Sequence, residues 1–176
     1  TVFATYSITP ERAKKVAFAG PYYRSGNAVM VLAEDSTITS AKDLAGKKVA
    51  MQQGSTTPAS LKKVAPTAVP SLFPDDAQCL AALKTKRVDA YVIDQGILIS
   101  NASTDPSLKV VGEPFDNDFY GIGVTLADPQ AKELVNTWLK AIEADGSWAK
   151  LWKATIGTVV QGDAPAPPEI GSVEGS

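Results

Sequence analysis

The strongest constraint on the fold is the alternation of helix and strand patterns between residues 41 and 111. Residues 40–46 read as a short helix stopped by Gly46, and 48–52 as a strand. A helix over 55–64 and a strand over 68–73 follow, then an amphipathic helix over 75–84 and a strand over 88–93. A helix from about 95 to 101 and a strand over 108–111 complete the series. Short loops with a helix between successive strands predict an α/β lobe with a largely parallel sheet. Ligands in such sheets sit at the carboxyl ends of strands. Residues 52–56 and Asp94 fall at two such ends.

The flanks add elements of other kinds. Residues 2–8 read as a buried strand, with Thr9 as N-cap and Pro10 at the first position of a helical turn. A short strand over 16–18 is expected to break at Gly20-Pro21, and 27–33 is a strong strand. Residues 120–126 form another. Asp128-Pro129 opens a helix with Leu134, Trp138 and Ile142 near i, i+4, i+8. Gly146 ends it, and Ser147 caps a last helix bearing Trp148 and Trp152. The three tryptophans read as core because their spacing is helical. Residues 158–176, rich in Pro, Gly and Glu, are expected to form a disordered tail. The chain opens in mid-strand with no initiator Met, so it is expected to be a piece of something longer.

Composition excludes several functions. The 176 residues suffice for one large domain or two small lobes, and a net charge of −2 without a basic run argues against nucleic acid. No apolar run has transmembrane length. There is no His, so no metal or cofactor site is expected, and no nucleophile–base pair is visible. The lone Cys79 is at helical spacing with Leu83 and reads as a small core residue.

Three pieces of the chain suit the two ends of a free α-amino acid. Arg12 offers a planar fork matched to a carboxylate. The Gly54-Ser55-Thr56-Thr57 loop opens a helix and offers backbone N–H groups to the same anion. Asp94 balances the ammonium. Each has a plainer reading. Arg12 is also an exposed helix-start Arg, and Thr56 and Asp94 are also N-caps. An Arg in a first turn opposes the helix dipole, which favours the functional reading of Arg12.

The chain resembles the extracellular solute-binding proteins, family 3, of ABC importers for polar amino acids of the glutamate and glutamine class. The matching text is Ser7 to Phe18 with Gly20-Pro21-Tyr22-Tyr23, Asp43 to Ala50, Gly54-Ser55-Thr56, Val88-Asp89-Ala90-Tyr91 with Asp94, Phe119 to Gly123, and Asp145 to Trp148. It covers roughly residues 1–157. The resemblance implies a two-lobed periplasmic-binding-protein-like fold (type II) with lobe one incomplete. Residues 1–26 and 119–157 would belong to lobe one and 27–118 to lobe two, with crossings near 24–27 and 115–119.

The resemblance also implies a ligand set. Arg12 would clamp the α-carboxylate. Ser7 would give its N–H to the carboxylate and its hydroxyl to the ammonium, and the Thr5 carbonyl would meet the ammonium. Ser55 and Thr56 would complete the carboxylate cradle, and Asp94 would pair with the ammonium. Gln52, Gln53 and Thr57 are candidates for side-chain specificity. Asp89 is assigned to structure. Some relatives pair the position of Cys79 with a second Cys near Ala50; that partner is missing here.

The implied function is capture of a polar L-amino acid, glutamate first and glutamine or aspartate next, for a membrane permease. The location would be extracellular or periplasmic, with a lipid anchor outside the chain. Enzymes such as dehydratases share the fold and need a general acid or base in the cleft. Glu11, Glu34, Glu113 and Glu133 all read as surface residues, so no enzyme is expected. Two further readings compete: a sensor domain, and a non-binding piece that associates through exposed lobe-one core.

Overall fold

A computed structural model describes residues 1–160 and 162–176. The strands are β1 (Ala17–Ser25), β2 (Asn27–Leu32), β3 (Lys48–Gln52), β4 (Val69–Phe73), β5 (Ala90–Asp94), β6 (Leu108–Val111) and β7 (Asp118–Val124). The helices are α1 (Pro10–Ala13), α2 (Thr57–Val64), α3 (Asp76–Lys84), α4 (Gln95–Thr104), α5 (Pro129–Ala144) and α6 (Ser147–Ala154). The chain divides into two compact units, one of Thr1–Ser25 with Asp118–Ser176 and one of Gly26–Asn117.

The unit of Gly26–Asn117 is built on a five-stranded sheet in the order β4-β3-β5-β2-β6. Helices α2, α3 and α4 carry the chain across between β3, β4, β5 and β6, and these four strands run the same way. The parallel arrangement expected for the strands of 41–111 is present, and the complete sheet is mixed. β2 enters from upstream of the alternating segment and pairs antiparallel with both β5 and β6. An alternation pattern reports only crossovers within itself, so it could not place that strand.

Period-two alternation sorts the strand residues onto two faces. Ala28, Met30, Ala50, Tyr91 and Ile93 point to the face covered by α3 and α4, where they meet Cys79, Leu83 and Leu98. Val29, Val31, Val49, Met51, Ala90 and Val92 point to the other face. There they meet Leu61 of α2 and Ala41 and Leu44 of a short 3-10 turn. Each large apolar side chain buried this way contributes roughly 1.5–3 kcal/mol of transfer free energy.

The first unit, Thr1–Ser25 with Asp118–Ser176, has β1 antiparallel to β7. β1 does not break at Gly20-Pro21. It continues to Ser25 with a register slip between Ala19 and Tyr23, as Pro21 has no N–H for the ladder. Residues 2–8 pair with β7 as two isolated bridges, Val2 with Gly123 and Ser7 with Tyr120. Between them the Tyr6 N–H turns to the Ala4 carbonyl, 2.8 Å away, so a continuous strand does not form. Ser147 is the first residue of α6, and Gly146, at φ 78°, holds the cap position.

The apolar face of α5 also differs from expectation. Leu139, Val135 and Ile142 pack on Ala19 and Ile122, whereas Leu134 and Trp138 are 71% and 45% exposed. Trp148 and Trp152 are buried. Ile170 packs on the same cluster, and the Gly171 N–H donates to the Gly20 carbonyl at 2.9 Å. The expected disordered tail of 158–176 includes Gln161, which lies outside the described residues.

Candidate functional site

In the first unit the candidates gather at the start of α1. Thr9 caps the turn, its hydroxyl oxygen accepting from the Arg12 N–H at 3.2 Å. That short turn brings the Arg12 side chain back over the preceding residues. Arg12 Nη1 donates to the Ser7 carbonyl at 3.0 Å, and the guanidinium lies 4.9 Å from the centre of the Tyr6 ring. The aromatic face and the carbonyl together fix the plane of the fork. Ser7 is 5% exposed. Its hydroxyl donates to Asp118 Oδ2 at 2.7 Å. Thr5 is exposed.

In the second unit the candidates lie at the carboxyl ends of β3 and β5. After Gln52 the chain turns through Gly54 at φ 78°, a left-handed conformation that favours glycine. Both the Ser55 N–H and its hydroxyl donate to the Gln52 carbonyl, the hydroxyl at 2.7 Å. Thr56 stands at the N-cap position of α2 but makes no side-chain capping bond. Thr57 is fully buried, and its hydroxyl donates to Asn27 Oδ1 at 2.8 Å. Gln52 is half-buried and Gln53 is exposed.

Asp94 closes β5 and is buried, with its Oδ1 accepting from the Gly96 N–H at 2.8 Å. It is the register partner of Asn27. Asn27 in turn donates from its amide nitrogen to Asp116 Oδ2 at 2.8 Å and from its N–H to Asp116 Oδ1 at 2.6 Å. Asn27 thus links the start of α2, the end of β5 and the chain near Asp116.

Sequence reasoning missed Asn27, Asp116 and Asp118. For Asp116 and Asp118 the signal is a polar run, Asp116-Asn117-Asp118, leading into the apolar part of β7. Glu11, Glu34, Glu113 and Glu133 are all exposed. Burial pushes the Cys79 thiol up to about 11, so Cys79 behaves as a core residue. Among the described residues, no helix is long and apolar enough to cross a membrane.

This architecture has close counterparts. The chain belongs to the bacterial extracellular solute-binding proteins, family 3, whose model matches residues 1–158. It is 34% identical over 174 residues to the glutamate-binding protein GluB of Corynebacterium efficiens, covering 93% of this chain and 59% of the relative. The chain therefore spans about 59% of that relative's length. It matches the structure of an ancestral arginine-binding protein bound to glutamine at a TM-score of 0.81 and 35% identity, covering 88% of this chain and 69% of that one. An ancestral amino acid-binding protein described as a precursor of cyclohexadienyl dehydratase matches at 0.76 and 32%, covering 86% and 66%. The fold is the α/β periplasmic-binding-protein type II fold, present in part.

Proposed function

We propose that this chain is the larger part of a binding protein for a polar L-amino acid, with glutamate first and glutamine or aspartate next. The observation that carries the reading is the held guanidinium of Arg12, fixed by the Ser7 carbonyl and the Tyr6 ring. A guanidinium whose plane is held in this way matches the planar geometry of a carboxylate. In this reading Arg12 and the Ser55–Thr56 backbone take the α-carboxylate. Asp94, the Ser7 hydroxyl and the Thr5 carbonyl take the ammonium. Gln52, Gln53 and Thr57 are the specificity candidates; Gln52 and Gln53 fit that role better, because Thr57 is engaged with Asn27.

The names of the relatives support an amino acid ligand: one is called a glutamate-binding protein, and one structure is described as bound to glutamine. The glutamine-binding protein GlnH of Bacillus subtilis, 32% identical, is named as an ABC transporter protein, which supports delivery to an ABC importer; the family's description as extracellular supports an extracellular or periplasmic location. A dehydratase-type enzyme needs a general acid or base, and the four glutamates considered for that role are exposed. The test is calorimetric titration with L-glutamate, L-glutamine, L-aspartate and L-arginine, using Arg12→Ala as the control. Saturable heat with one ligand, lost in the variant, is expected. Heat that persists unchanged in Arg12→Ala would overturn the reading.

A further inference from the structure

The Ser7 hydroxyl has one proton and two lone pairs. The Asp118 carboxylate, a half-buried acceptor 2.7 Å away, takes that proton. The Ser7 oxygen is left able only to accept. The contact is built in by the pairing of the two segments. Ser7 bridges Tyr120, and the Ile8 N–H donates to the Phe119 carbonyl at 2.8 Å, so Ser7 is held beside the first residues of β7. On its other side, the Ser7 carbonyl holds Arg12. One residue thus sets both the fork that suits an anion and an oxygen that suits a cation.

We propose that Asp118 is a positioning residue for ligand recognition. Acting through Ser7, it makes the site select ligands that carry an ammonium over analogues that lack one. A hydroxyl free to rotate would donate to an oxygen of a des-amino ligand and blunt that selection. With its proton held by a carboxylate, it offers an acceptor of raised electron density to an N⁺–H donor. Asp118 touches no ligand in this scheme. The assignment rests on the amino-acid reading above.

The experiment measures affinities of the full chain for matched pairs: L-glutamate and glutarate, L-glutamine and glutaramate, L-arginine and 5-guanidinopentanoate. The readout is the ratio of affinities within the pair that binds. Asp118→Ala is expected to lower that ratio about tenfold, by weakening the amine-bearing member while leaving the des-amino member within about twofold. Asp118→Asn, whose amide oxygen still accepts from Ser7, is expected to fall between. In a Ser7→Ala background, Asp118→Ala is expected to change nothing further. If Asp118→Ala fails to fold by circular dichroism, the Asn and Ser7→Ala variants carry the comparison. A wild-type chain that binds no amino acid overturns the amino-acid reading and this assignment with it. Wild-type binding with an unchanged ratio in the variants overturns the assignment alone.

Discussion

The Tyr91 hydroxyl donates to Asp76 Oδ1 at 2.9 Å, and Asn101 Nδ2 donates to the same carboxylate at 3.0 Å. One acidic side chain at the start of α3 therefore ties a core strand residue to α4. The tie lies beside Cys79, inside an otherwise apolar cluster. A phenol buried there needs its acceptor, because an unpaired buried O–H costs about 1–3 kcal/mol. The arrangement makes both Tyr91 and Cys79 reluctant acids.

Alkaline stability follows from that reluctance. Burial, reinforced by the Asp76 charge, pushes the Tyr91 phenol up, and burial pushes the Cys79 thiol up to about 11. The unfolded chain loses these protons first, near pH 9 for Cys and 10 for Tyr. Stability is then full below about pH 9 and falls as pH rises, by up to about 1.4 kcal/mol per pH unit for each group. Urea midpoints measured from pH 7 to 10.5 are expected to decline less steeply in Cys79→Ala and in Tyr91→Phe. Identical slopes in both variants and the parent would refute this account.

Acid stability has a different origin. The Lys84 ammonium, 2.7 Å from Asp105, and then the Ser107 hydroxyl and N–H hold the Asp105 carboxyl down at about 2. The contribution is present above the ordinary carboxylate range near 3.8 and is lost as pH falls towards 2. Asp105→Asn is expected to flatten the pH dependence of unfolding across that window and to leave stability above pH 5 little changed in slope. The check is thermal unfolding at pH 2 to 6 in low salt, where exposed pairs are least screened. A variant with the parent's full acid slope would contradict the assignment.

Gly26 is a packing requirement. A Cβ placed there would stand 2.4 Å from the Asp116 carbonyl oxygen and 2.9 Å from Pro114 Cβ. The backbone around it is already pinned, since the Gly26 carbonyl accepts from the Gln95 N–H at 2.9 Å and Asn27 holds Asp116. Gly26→Ala is expected to destabilise the protein by about 1–3 kcal/mol, the usual range for overpacking. Chemical denaturation monitored by circular dichroism measures it. A substitution that leaves the midpoint unmoved would show that the Asp116 segment gives way freely.

Part of the local geometry around the candidate residues was legible in the chain because it is set within a few residues. Thr9 as a cap, the turn at Pro10 and the glycine at 54 are choices made within a few residues. The placing of Arg12 follows from that turn. Asn27 and Asp118 were not legible as partners. Asn27 meets Thr57 across 30 positions, and Ser7 meets Asp118 across 111. No periodicity spans such distances.

The same division holds for the fold. Alternating helix and strand patterns, and the two-residue period within each strand, determined that β3 to β6 run together and which residues each face buries. Those signals arise from the geometry of single elements. Tertiary structure alone decided that β2 inserts between β5 and β6 in the opposite direction, and that β1 runs on past Pro21 alongside β7. It also decided that α5 buries Leu139 while leaving Trp138 exposed. In each case the outcome depends on which distant surface is available to be covered. That is a property of the assembled chain, and no stretch of sequence carries it alone.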